Sequence, residues 1–188
     1  MAFGRTNDYV ETPAASVTPE EMEQTFYSAL SRNTFIEGNI TTKDDLVFSA
    51  GLKGNINSTK IVHVDNGVIE GMIDVGEIDI DNGKIKGDIV SNGAVNVDNL
   101  SLIIGDVRGQ DIICDGKIKG DLYIENSCTI NANAVIFGNI KAAVINIDSG
   151  AVIKGTIEVV RQSIASTNLF DFEEQFMDMS DFAKTTLE

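Results

Sequence analysis

No tryptophan occurs in this 188-residue chain, and histidine is used once, cysteine twice and proline twice. Each scarcity excludes something. Cys114 and Cys128 stand alone, with no CxxC and no second pair. They leave no zinc ribbon or disulfide framework and read as reduced thiols serving as small hydrophobes. Both prolines, Pro13 and Pro19, precede residue 20. A backbone whose amides all pair with neighbours above and below would reject proline, so the later stretch has the signature of such a backbone. Basic residues are few, 14 Lys and Arg against 29 Asp and Glu, for a net charge of −15. A nucleic-acid binder must cluster cations to neutralise phosphates, so that class is excluded. No apolar run approaches the ~18 residues of a membrane span. Residues 1–16 lack the charged start and apolar core of a secretory leader.

Glycine is not scarce, and most of it follows a period. A series of rung glycines runs Gly38, Gly54, Gly71, Gly87, Gly105, Gly120, Gly138 and Gly155, with steps of 15 to 18 residues. Two residues before each stand Ile36, Leu52, Ile69, Ile85, Ile103, Ile118, Ile136 and Ile153. Two residues after stand Ile40, Ile56, Ile73, Ile89, Val107, Leu122, Ile140 and Ile157. All sixteen are large aliphatics. Ile85-Lys-Gly-Asp-Ile89 and Ile118-Lys-Gly-Asp-Leu122 are the closest copies. The position before glycine is mostly charged, with Ile104 and Phe137 as departures. The position after it varies through Asn39, Asn55, Met72, Asp88, Asp106, Asp121, Asn139 and Thr156, and reads as a tolerant surface position.

Between the glycine units a second alternating segment recurs: Leu46/Phe48, Val62/Val64, Ile78/Ile80, Val95/Val97, Ile112/Cys114 and Ile145/Ile147. A third, weaker one contains Val75, Ile124 and Val159. Turn signals separate the segments at Asn66-Gly67, Asn82-Gly83, Asp115-Gly116 and Ser149-Gly150, where glycine is expected to take positive φ. A coil that returns to the same place about every seventeen residues is a parallel β-helix. The aliphatics then form inward ladders, each buried side chain contributing ~1.5–3 kcal/mol. Each rung glycine shares their parity and is expected at an inward corner without room for a Cβ.

The ends follow other rules. Residues 1–17 read as a disordered tail. Thr18-Pro-Glu-Glu21 has the pattern of a capping box with proline at the first helical position. Met22, Phe26 and Leu30 follow at helical spacing, predicting an amphipathic helix over 18–33 that caps the first coil or binds a partner. The β-helix core is expected over 34–160. Residues 161–188 carry six acids and two bases around Leu169, Phe172, Phe176 and Met179. This acidic aromatic segment reads either as a helix capping the last coil or as a linear motif that folds on a partner.

Catalytic machinery is missing. His63, between inward Val62 and Val64, is expected on an outer strand face, and it alone cannot supply a three-histidine metal site. It is the last candidate for a hexapeptide-type transferase. No GxxxxGK[ST] and no GxGxxG occurs, so nucleotide binding has no visible site. The sequence implies no catalytic residue, no metal, no cofactor and no enzyme.

The string of I-x-G-D/N-I units at Ile36–Ile40, Ile85–Ile89, Ile118–Leu122 and Ile136–Ile140, set between distinct tails, resembles the bactofilins. The resemblance covers roughly Thr34–Val160. It implies a right-handed β-helix core in a bacterial, cytoplasmic, polymer-forming cytoskeletal protein. Filaments would form without nucleotide by end-to-end stacking, with the chain itself as principal partner. It also implies a scaffold at the inner face of the membrane for envelope, cell-wall or cell-shape enzymes. Bactofilin tails tend to be proline-rich, whereas these ends read as helix-forming and aromatic. The competing reading of the residues is a monomeric or small-oligomer β-helix binding module, closed by its terminal helices.

Overall fold

The computed structural model describes residues 27–160, and every regular element among them is a β-strand. All strand pairings are parallel, and each strand pairs with the equivalent strand one coil away. The result is a parallel β-solenoid of three faces.

The first face, on the N-terminal side of each rung glycine, is a sheet of eight strands, one per coil, from Phe35–Glu37 to Val152–Lys154. The second, on its C-terminal side, runs from Ile40–Thr42 to Ile157–Val159. The third holds the alternating segment, from Tyr27–Leu30 to Val144–Ile147. In two coils the strands Val107–Cys114 and Leu122–Ile130 pass unbroken from the second face to the third, which joins these faces into one sheet. A register shift between Gly109 and Asp111 absorbs the bend. At ~4.8 Å per coil, eight coils span roughly 34 Å along the axis.

The apolar-polar-Gly-polar-apolar unit is therefore two strands meeting at a corner. The rung glycine turns the chain between them, with φ of +137° to +157° at seven of the eight positions. Val75, Ile124 and Val159 form no separate segment, for they continue the second face.

Alternation carries the core. Strands read exposed-buried-exposed on the first face and buried-exposed-buried on the second. Ile69, Ile85, Ile103 and Ile118 stack on one wall, Ile73, Ile89, Val107 and Leu122 on another, and Val62, Ile78, Val95 and Ile112 on the third, all buried. Among the described residues no buried side-chain nitrogen or oxygen lacks a hydrogen-bond partner.

Three of the four expectations about turns change. At Asn66-Gly67 and Asn82-Gly83 the asparagines take positive φ, 56° and 50°, and the glycines do not; Gly116 does not either, and only Gly150 does, at 110°. Those glycines supply space: a Cβ on Gly83 would lie 2.5 Å from Ile80 Cγ2. Asparagine tolerates the left-handed region because its short side chain bonds locally.

The expected helix over 18–33 also needs correction. Tyr27–Leu30 is a strand, paired in register with Asp45–Phe48, so the solenoid begins before residue 34. The open amide row of Asp45–Phe48 can pair with a strand but not with a helix, and pairing overrides the helical spacing that reaches Leu30. Leu30 is half-buried against the core. Residues 1–26, with Met22 and Phe26, and 161–188, with Leu169, Phe172, Phe176 and Met179, lie outside the described residues.

Candidate functional site

The glycine corner is the most regular feature of the molecule. Each rung glycine except the last, Gly155, donates its N–H to the carbonyl just before the next rung glycine, as Gly71 to Lys86 at 3.0 Å and Gly120 to Phe137 at 3.0 Å. A Cβ built on Gly87 would lie 2.0 Å from the Gly71 carbonyl oxygen, and one on Gly120 2.0 Å from that of Gly105. There is no room for a side chain, but the obstacle is not the interior. It is the backbone of the preceding coil, approached along the stacking axis.

The residue after glycine is not a free surface position. Its side-chain oxygen accepts the N–H of the equivalent residue one coil on: Asn39 from Asn55, Asn55 from Met72, Asp88 from Asp106, Asp106 from Asp121, Asp121 from Asn139 and Asn139 from Thr156, at 2.7–3.1 Å. The corner turns this amide out of the regular ladder, and a short side chain ending in an oxygen satisfies it. Met72 has none to offer, and no bond to the Asp88 N–H is seen among the described residues. The signal was visible in the sequence, since six of the eight positions are Asn or Asp.

The groups with chemical potential are otherwise engaged. His63 lies on the outer face of its strand, its Nδ1 3.0 Å from Asp79 Oδ2, while Asn96 Nδ2 donates to Asp79 Oδ1 at 2.6 Å. These three occupy one outward column on successive coils. Pocket residues around them include no Ser, Thr or Cys nucleophile. Cys114 and Cys128 are buried and unpaired, and burial pushes their thiols up to about 11 and about 12. Thiolate is the reactive form, so both are inert. Among the described residues no three His, Cys, Asp or Glu are placed to hold a metal ion.

The ends differ from the middle. Leu52, Ile56, Ile136 and Ile140 are buried, whereas Ile36, Ile40 and Ile153 are only partly covered. Ile157 is 43% exposed, although Ile140 at the equivalent position one coil earlier is 1% exposed. At the last coil Ile147 and Val159 are exposed, although Ile130 and Ala142, their partners one coil earlier, are buried. Among the described residues, Phe35–Glu37 and Val152–Lys154 are the edge strands of the first face. Each end thus presents, among the described residues, backbone without a strand partner and incompletely covered aliphatic side chains.

Among the described residues, the molecule is a parallel solenoid with engaged polar groups and partly covered terminal coils. Residues 76–158 match the model of the bactofilin family, described as polymer-forming cytoskeletal. That family is structural and not enzymatic. The match covers the C-terminal coils; the first three, which share the fold and period, lie before it. No curated protein and no solved structure matches the chain.

Proposed function

We propose that this chain is a self-assembling cytoskeletal scaffold that forms filaments by end-to-end stacking of its solenoid, without nucleotide. The observation that carries the reading is the exposure of Ile157 beside the burial of Ile140. The terminal coils repeat the inner ones in residue type and lack only the neighbour that a second copy would supply. The polymer-forming character of the matching family supports the same reading. An inner-membrane location, with organisation of envelope or cell-shape enzymes, extends it; among the described residues no helix is long and apolar enough to cross a membrane.

A net charge of −15 makes copies repel, so assembly strengthens as salt screens the repulsion. Negative-stain imaging of the full chain and of one without residues 1–26 and 161–188, both free of nucleotide, tests the proposal. Filaments from both support it. Monomers from the full chain across salt and pH, with polymer or aggregate appearing only after deletion, indicate a module capped by its terminal segments.

A further inference from the structure

The flank of the solenoid carries a second surface, away from the stacking ends. Over its last five strands, Lys84–Lys86 to Val152–Lys154, the first face has two outward columns, in register along the axis. One reads Lys84, Leu102, Lys117, Val135, Val152 and the other Lys86, Ile104, Lys119, Phe137, Lys154. Five lysines and five large apolar side chains share this face, and it has no outward acid, in a protein whose acids outnumber its bases by 15. Leu102, Ile104, Phe137 and Val152 are exposed. Lys86 bonds Glu70 at 2.7 Å, but Lys84, Lys117, Lys119 and Lys154 have no carboxylate partner among the described residues. The aspartates at the adjoining corner accept amides of the next coil instead.

A groove of about 530 Å³ on the second face also holds cations, but they are already engaged. Arg108 stacks on Tyr123 at 4.9 Å, and Lys141 pairs with Glu158 at 3.3 Å. The lysine face is the one left with unanswered charge.

We propose that this face docks the chain's own segment 169–182, Leu-Phe-Asp-Phe-Glu-Glu-Gln-Phe-Met-Asp-Met-Ser-Asp-Phe. Charge and composition match on both counts: the segment has five acids and no base, interleaved with Phe170, Phe172, Phe176 and Phe182. Aromatic rings cover the exposed aliphatics while carboxylates meet the lysines. Reach is sufficient. The last described strand ends at Val159, and residues 161–168 extend up to about 26 Å, wider than a three-residue strand face of about 10 Å. Five strands occupy about 19 Å along the axis, and fourteen residues cover about 21 Å even when wound as a helix. A second lysine face would be repelled. The docking leaves both solenoid ends free, so it stands or falls separately from filament formation.

The test places a photo-crosslinking benzoyl-phenylalanine at Ile104 in the full-length chain. Isotopically light probe-bearing chains are mixed with heavy unsubstituted chains, with and without vesicles containing phosphatidylserine. The expected adducts join position 104 to a peptide within 169–182 of the same light chain. Their yield falls about tenfold in a Lys117→Glu/Lys119→Glu variant with unchanged melting, and recovers when Glu173 and Glu174 become lysine. Adducts only to heavy chains would overturn the proposal in favour of a second copy. Loss of the adducts to lipid would overturn it in favour of a membrane surface, and absence of any adduct to 169–182 would end it.

Discussion

Ile140 and Ile157 follow their rung glycines by the same two residues, one coil apart, yet one is buried and the other 43% exposed. The same contrast separates Gly87 from Gly38. A Cβ on Gly87 collides with the Gly71 carbonyl, whereas one on Gly38, in the first complete coil, meets nothing within 4 Å. Sequence type is constant between inner and terminal coils, and what changes is the neighbour. In a solenoid, a residue's energetic weight is set by whether the coil it packs on is present. For a rung glycine that is the preceding coil, so Gly155 in the last coil stays crowded. On the proposed function, the incompletely covered terminal coils are where a second copy attaches.

The largest break in this comparison is steric. Gly87→Val should cost more than about 4 kcal/mol and abolish the cooperative melting transition, because a backbone oxygen 2.0 Å away cannot move without opening the stack. Gly38→Ala should cost only the backbone strain of its +137° φ, about 1–2 kcal/mol, and leave a folded protein. Equal losses in urea titrations would show that the corner is not held by stacking. Next in size, Ile140→Ala should cost about 2–5 kcal/mol by the cavity it leaves. Ile157→Ala should cost under about 1 kcal/mol, since the side chain is already partly in water.

A smaller effect probes the amide ladder. Asp121→Ala leaves the Asn139 N–H without its acceptor and should lower stability by about 1 kcal/mol. Met72→Asn supplies the missing acceptor to Asp88 and should raise it by about 0.5–1 kcal/mol, a gain readable in denaturant midpoints. Smallest under ordinary conditions is the alkaline effect of the thiols. Burial holds Cys114 and Cys128 at about 11 and about 12 against an ordinary value of 9.0, so the unfolded chain loses those protons first. Their contribution is complete below about pH 8 and is lost as pH rises through 9 toward 12. Stability of a Cys114→Ala/Cys128→Ala variant, whatever its offset, should fall less steeply over that window.

The fold was legible because its energetics are periodic. Sixteen aliphatics flanking eight glycines at a steady period leave few architectures in which these side chains share one interior. The corner was read less well. Sequence spacing placed each rung glycine at an inward corner, but it does not show that the crowding there comes from the backbone of the preceding coil. The Asn/Asp ladder was hidden by Met72 and Thr156, whose presence made the column look tolerant, although the other six share one acceptor chemistry. Tyr27–Leu30 was read as helix because helical spacing over so short a stretch does not exclude a strand, and the deciding partner, Asp45–Phe48, lies a coil away. The lysine face was invisible as a face until register aligned residues about seventeen apart.

The central claim is that function resides in the open ends, and one measurement addresses it most directly. Full-length chains carrying Ile157→Asp are imaged by negative stain beside the unsubstituted chain, with melting temperature followed on the same samples. Ile157 lies on the exposed last coil, so the account predicts near-normal melting together with loss of long filaments. Filaments as long and as abundant as those of the unsubstituted chain would contradict it.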